Sequence, residues 1–240
     1  SSSENGLNAM GGLCPTNPCR TWTILKFLQF IDLLFPNIMR YTGPKVKRAR
    51  RLGFAFTDKD AKILQKRNFA PGQHGQSRAR ISEYGMQLRE KQKAKINYGV
   101  TERQFLRYFE KASNKQGVTG DFLLQMLELR LDNIVYRLGF AATRAQARQL
   151  VNHGFFEVNG KKVDIPSYAT RPGDVISVRE NKKNAKYMQV QKEILKNFKS
   201  QDWVELKAAD FSGKVLSSPT PEQIGNLIDT QLIVEHYSRI

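Results

Sequence analysis

The 240-residue sequence predicts an α+β fold: a helical domain with a basic N-terminal arm, and a module of two short helices and a small antiparallel sheet. Three observations carry that expectation. Phe105, Tyr108, Phe109 and Ala112 recur at helical spacing, and Leu123, Leu124, Leu127 and Leu131 do the same in the next segment. Leu131, Ile134, Val135 and Leu138 then recur at i, i+3, i+4 and i+7. Finally, Phe155-Phe156-Glu157-Val158, Asn159-Gly160 and Lys161-Lys162-Val163 form the pattern of a β-hairpin closed by a type I′ turn, whose two central residues need positive φ.

Charge narrows the class of partner. Lys and Arg number 39 against 22 Asp and Glu, a formal net charge of +17. Residues 1–38 supply none of that excess, because Arg20 and Lys26 balance Glu4 and Asp32. The positive charge is spread over the remaining chain, and no long basic amphipathic helix with an aromatic lipid-facing side stands out. That distribution favours nucleic acid and argues against a membrane partner.

The first 38 residues differ in character from the rest. Thr21 to Phe35 (TWTILKFLQFIDLLF) is apolar but interrupted by Lys26 and Asp32, and it falls short of the roughly 20 apolar residues a bilayer span needs. It lacks the basic lead-in and the small-residue cleavage site of a signal peptide; a transit peptide stays open, with thin Arg and Ser content. Cys14 and Cys19 are the two cysteines, and no further Cys or nearby His completes a zinc site. Neither a metal nor a cofactor is expected.

Arg40, Lys45, Lys47, Arg48, Arg50 and Arg51 form a run without an acidic residue, interrupted by Gly43-Pro44. Such an arm is expected to stay unburied and to order itself against phosphates. Residues 52–84 read as irregular and basic around Pro71 to Gly75. Met86 to Tyr98 reads as a charged helix ended by Gly99, Thr101 with Gln104 as a capping box, and Thr119 as the start of another helix. The helical spacing of the aromatics in 105–109 assigns them to packing and not to base stacking.

Within the module, Gly139 occupies a helix C′ position, and Thr143 with Gln146 opens a second helix that turns Ala147, Leu150 and Val151 inward. Arg130 and Arg137 fall off the apolar stripe of the first helix, and Arg144 and Arg148 lie one turn apart on the second. With Lys161 and Lys162 they make a face of four arginines and two lysines suited to a polyanion. Charge alone is equally compatible with an ordinary solvated surface. Arg171-Pro172-Gly173-Asp174 is a turn before a further strand, Val175 to Val178. Asn181 to Ser200 reads as one lysine-rich helix, Trp203 to Leu206 as a short strand, and Thr220-Pro221-Glu222-Gln223 as a capped helix start.

Residues 130–178, with ARQLV, VNG, IPSY and PGD among them, resemble the RNA-binding module of the ribosomal protein S-four (S4) family. Tyr84 to Tyr98, Pro71-Gly72-Gln73-His74-Gly75 and Leu232 to Arg239 resemble the same family, so the similarity spans roughly 39–240. It departs at Phe155, where many members carry His, so no contact of that His is carried over. The arm of this chain also lacks the cysteine cluster of some members. Met39 resembles the family's beginning and is expected to be the true initiator, with residues 1–38 either a misassigned start or a dispensable extension. The resemblance implies a division into 1–38, 39–129, 130–180 and 181–240, the last segment returning to the helical domain so that the module is an insertion. It further implies primary binding to a junction in small-subunit ribosomal RNA and nucleation of the subunit body. Contact with ribosomal protein S-five (S5) near where messenger RNA enters, an influence on decoding accuracy, and a place in a cytoplasmic or organellar ribosome complete that picture.

An enzyme would need a reactive group with its partner. No Walker loop, Gly-x-Ser-x-Gly, His-Glu-x-x-His or Gly-x-Gly-x-x-Gly occurs, and His74, His153 and His236 are scattered. Arg130-Leu131-Asp132 superficially resembles the catalytic triplet of pseudouridine synthases, but its helical spacing gives Asp132 a helix-surface or capping role. The chain is expected to be a non-enzymatic RNA-binding protein, with Arg144 and Arg148 removable at little cost to stability.

Overall fold

The computed structural model describes residues 41, 43–77, 80–196, 198–225 and 228–239. Cys14, Cys19, the apolar stretch 21–35, Met39, Arg40 and Arg78 lie outside them. Residues from Gly43 onward form one unit, and its architecture is as follows.

Helix α1 (Lys45–Leu52) begins directly after Pro44 and ends at Gly53, whose φ of 65° closes the turn through a bond to the Ala49 carbonyl. The basic run is therefore an ordered helix over this stretch and not an irregular arm, with Lys45, Lys47 and Arg51 still exposed. Gly43-Pro44 precedes the first turn, where a ring with fixed φ is tolerated, and Ala49 supplies a buried contact. Helix α2 (Asp58–Lys66) also corrects the irregular reading of 52–84. Thr57 caps it by accepting from the Asp60 N–H at 3.4 Å and donating to the Asp60 carboxylate at 2.9 Å. Asp58 and Asp60 place negative charge at the positive end of the helix dipole.

Helices α3 (Glu83–Asn97), α4 (Glu102–Ser113) and α5 (Thr119–Glu128) build the helical core, with Ser82 capping α3 and the Thr101–Gln104 box opening α4. Ala94, Tyr98, Phe105, Ala112, Leu123 and Leu127 are buried together, and two later elements close over them: α10 (Pro221–Ile224) and α11 (Thr230–Ser238), through Ile224 and Ile233. Tyr237 stacks on Phe109 with ring centroids 4.5 Å apart, so these aromatics pack as their spacing predicts. In α3 the buried positions include Gln87 and Lys91, because that face meets carboxylates: Gln87 donates to Glu235, and Lys91 pairs with Glu102 at 2.9 Å.

The module starts with α6 (Leu131–Arg137) and α7 (Arg144–Asn152). Gly139 has φ 78°, and the Thr143 hydroxyl accepts from the Gln146 N–H at 3.3 Å, while the Gln146 amide oxygen reaches the N–H of Ala142. The hairpin follows as β1 (Phe156–Val158) and β2 (Lys161–Lys162), with Asn159 at φ 51° and Gly160 at φ 78°. β3 (Val175–Val178) pairs antiparallel with β1, Val158 opposite Ile176.

The sheet does not end there. The lysine-rich stretch breaks into α8 (Glu180–Lys183) and α9 (Lys186–Lys196), and then β4 (Val204–Lys207) and β5 (Ser212–Val215) complete five antiparallel strands in the order β2-β1-β3-β5-β4. β5 adds to β3, with Ile176 opposite Gly213. Met188, Leu195 and the fully buried Trp203 join Leu131, Ile134, Phe140, Phe156 and Ile176 in one apolar core. Residues 181–215 thus belong to the module, and it is α10 and α11 that pack on the helical part.

Candidate nucleic-acid interface

The expected cations separate into groups by environment. On α1, Lys45, Lys47 and Arg51 are exposed, whereas Arg48 is half-buried. Arg50 is also half-buried: it donates to the carbonyls of Phe69 (3.0 Å) and Ala70, with its guanidinium 4.8 Å from the Phe69 ring centroid. It fastens the loop before Pro71 and leaves the outer face to its neighbours.

On the hairpin, β2 carries Lys161 and Lys162, both exposed, on a rigid two-strand support. Lys162 lies 3.7 Å from Asp164 in an exposed pair, a contact that water and salt screen heavily.

Arg130 is placed differently from expectation. It is only 1% exposed, makes a two-pronged pair with Asp132 (Nε to Oδ1 3.1 Å, Nη2 to Oδ2 2.8 Å) and donates to the Tyr108 hydroxyl at 2.8 Å. It is a buried tie between module and helical part, not a member of the outward face. The helical period places it on the polar side, and that side meets α4 and not water. The same contact explains the Arg-Leu-Asp triplet: Asp132 is buried as the counter-charge of Arg130 and takes no surface or capping role.

Arg137 and Arg144 converge on Glu128, the last residue of α5, which is fully buried. Arg137 donates through Nε (2.9 Å) and Nη2 (2.7 Å), the Tyr98 hydroxyl at 2.7 Å, and Asn133 through its amide; Arg144 Nη2 stands 4.0 Å away. Arg144 is further held by Asn133 (2.8 Å) and Asn97 (3.0 Å), and its guanidinium lies 5.2 and 4.6 Å from the rings of Tyr98 and Tyr136. Burial alone would raise the Glu128 carboxyl, but the hydrogen bonds and charge of Arg137, then Arg144, outweigh it and hold the group below the ordinary glutamate value of 4.5. Burial and the Glu128 charge push the Tyr98 phenol well above its usual 10. Two cations on one carboxylate leave the cluster one net positive charge, at the seam between the two parts.

Arg148 is half-buried at the same seam and donates to the Gly99 carbonyl at 2.8 Å. Helix α4 adds a feature that the sequence reading left out: Arg103, Arg107 and Lys111 are all exposed at four-residue spacing. The signal for it was present, since these positions fall opposite Phe105 and Ala112. Among the histidines, His74 and His153 are exposed and His236 is buried at 1% exposure. No group of three or more potential metal ligands occurs among the described residues, and no helix among them is long and apolar enough to cross a membrane.

Two family models match this chain, the ribosomal protein S4/S9 N-terminal domain over residues 40–128 and the S4 domain over 129–176. A protein from Chloroflexus aurantiacus named small ribosomal subunit protein uS4 is 54% identical over 204 residues, covering 83% of this chain and 99% of its own length. Proteins of the same name from Roseiflexus castenholzii, 54% identical over 204 residues, and from a Thermoanaerobacter species, 52% over 208, match with the same coverage. The chain belongs to the ribosomal protein S4 family.

That membership places it among structural proteins of the ribosome and not among enzymes. The boundary between the two family models, 128/129, falls beside Glu128. In this S4 protein the join between the matched regions is therefore the buried Glu128 cluster. The sheet runs on through β5 beyond the matched S4 domain.

Proposed function

We propose that this S4 protein is a structural constituent of the small ribosomal subunit that binds ribosomal RNA directly. What supports this most is one arrangement: exposed cations standing on rigid supports. Lys45, Lys47 and Arg51 rest on α1, Arg103, Arg107 and Lys111 on α4, and Lys161 and Lys162 on β2. Folded RNA is recognised chiefly through its shape and backbone, which calls for charges held at fixed separations. Arg40 extends the α1 set in sequence. Arg137, Arg144 and Arg148 present partial guanidinium edges at the seam, where RNA bridging the two parts would meet them.

The finer role follows the family resemblance. The protein binds early at a junction in small-subunit RNA and nucleates the body of the subunit. It contributes to decoding accuracy together with ribosomal protein S-five, near where messenger RNA enters. Its place is in the ribosome.

Backbone footprinting of purified protein on bacterial small-subunit ribosomal RNA tests the first reading. Protection of a compact set of helices is expected, with affinity falling roughly 10³-fold from 50 to 200 mM salt for about six neutralised phosphates. A folded protein that protects no RNA at low salt would overturn it. Capture of ribosomal protein S-five by the protein–RNA complex tests the partner.

A further inference from the structure

We propose that the cavity between α6 and α9 is a nucleotide site, which takes one unstacked residue of the bound RNA with its base against Phe198 and Ile194. This rests on the RNA-binding reading above and deepens it. The cavity measures about 330 Å³, within the range of small-ligand clefts. Its lining contains two aromatic rings (Tyr136, Phe198), two cations (Arg137, Lys199) and two amides (Gln191, Gln201), with no carboxylate.

Phe198 and Ile194 are 38% and 52% exposed, although α9 buries Met188 and Leu195 on its other side. These large apolar groups face water at the rim of a cavity in a strongly basic protein. Phe198 is seated: a Cβ added at Gly139 would stand 2.8 Å from its ring, so the bare glycine backbone lets the ring settle there. A ring held on backbone gives a base a firm stacking surface.

The polar groups are equally preset. Arg137 commits Nε and Nη2 to Glu128, which leaves Nη1 as the arm available to a phosphate. Gln201 accepts the Trp203 indole N–H at 3.0 Å through Oε1, which fixes the amide and turns Nε2 into a donor for a base edge. Lys199 adds a second cation. The Gln191 amide is spent on the Gly139 carbonyl, but a stacking surface, a preoriented guanidinium and the Gln201 donor in a lining without a carboxylate suit an anionic nucleotide better than an apolar peptide.

The test uses the full chain with bacterial small-subunit ribosomal RNA, reading affinity, backbone protection by hydroxyl radical, and base protection from dimethyl sulfate. Phe198→Leu keeps an apolar contact with Gly139 but removes the ring. It is expected to weaken binding about tenfold and to unmask one or two unpaired bases while backbone protections and melting temperature persist. Phe198→Trp is expected to restore both. Unchanged affinity and base reactivity in Phe198→Leu would overturn the proposal. So would a loss of all protections together with a lowered melting temperature, which makes Phe198 a packing residue. A Phe198→Leu defect seen only when a second ribosomal protein is added would also overturn it, because the cavity would then be a protein contact. Failure of the wild-type protein to protect any RNA is a separate result that removes the parent reading.

Discussion

Glu128 accepts both Nε and Nη2 of Arg137, at 2.9 and 2.7 Å, and thereby joins the last turn of α5 to the last turn of α6. With no exposure of its own, the carboxylate has these donors in place of water. Replacing it with Gln keeps the volume and removes the charge, leaving two guanidinium groups without their shared partner. Glu128→Gln is expected to cost about 3–5 kcal/mol of folding stability. A urea unfolding curve at neutral pH with an unshifted midpoint would refute this.

Acid should find the same residue. The Glu128 carboxyl titrates below its ordinary 4.5 in the folded state, and Glu102, bound by Lys91 and Lys95 against the opposing effect of burial, is lowered to about 2. Groups whose folded pKa is depressed contribute stability above the unfolded value and lose it as pH falls through the folded one. Stability should therefore decline as pH drops below about 4.5 and keep declining toward 2, with a shallower decline in Glu128→Gln. Thermal melts between pH 3 and 7 provide the comparison.

Arg144 lies in this cluster and not on an open edge, which reverses the expectation from sequence. Arg144→Ala removes bonds to two buried asparagines, Asn133 and Asn97. A loss of about 1–3 kcal/mol is expected. Calorimetry that finds Arg144→Ala as stable as wild type would return this residue to the surface class.

The hairpin lysines should behave in the opposite way. Lys161 and Lys162 are exposed, so changing both to Ala should alter stability by under about 0.5 kcal/mol. If each meets a phosphate, the slope of log affinity against log salt should flatten by roughly 1.4–1.8. Filter binding over a salt series measures that slope, and an unchanged value would exclude these two from the contact.

Gly213 opposes Ile176 in the sheet, and a Cβ there would collide with the Leu138 side chain. Gly213→Ala overfills the module core and is expected to cost about 1–3 kcal/mol. Equal stability would mean that β5 packs less closely on α6 than its register requires.

What the sequence disclosed was local. Thr143 with Gln146, Asn159-Gly160, and Thr220-Pro221 with Gln223 each place their signal within four residues, and each structure formed where expected. Gly43-Pro44 was legible only as a breaker, since whether a proline ends a helix or begins one depends on what Ala49 can bury. Thr57 and Asp60 carried a capping signal for α2, in a form weaker than the Ser/Thr and Glu/Gln pair. The misplaced residues are those decided at a distance. A helical period put Arg130 and Arg137 on a polar stripe but could not say that the stripe faces Tyr108 and Glu128. The pairing of Val175–Ser177 with Ser212–Lys214 spans too many residues for any local pattern to announce.

The return of α11 sets a timetable for the protein's own synthesis. Glu235 meets Gln87 and Arg239 meets Glu83 across 148 and 156 positions of chain. At elongation rates of about 5–20 residues per second, α3 emerges roughly 7–30 s before its covering helix exists. Through that interval the part made first remains unroofed, whereas the module behind it completes its last strand at Val215, before Thr230 opens the covering helix.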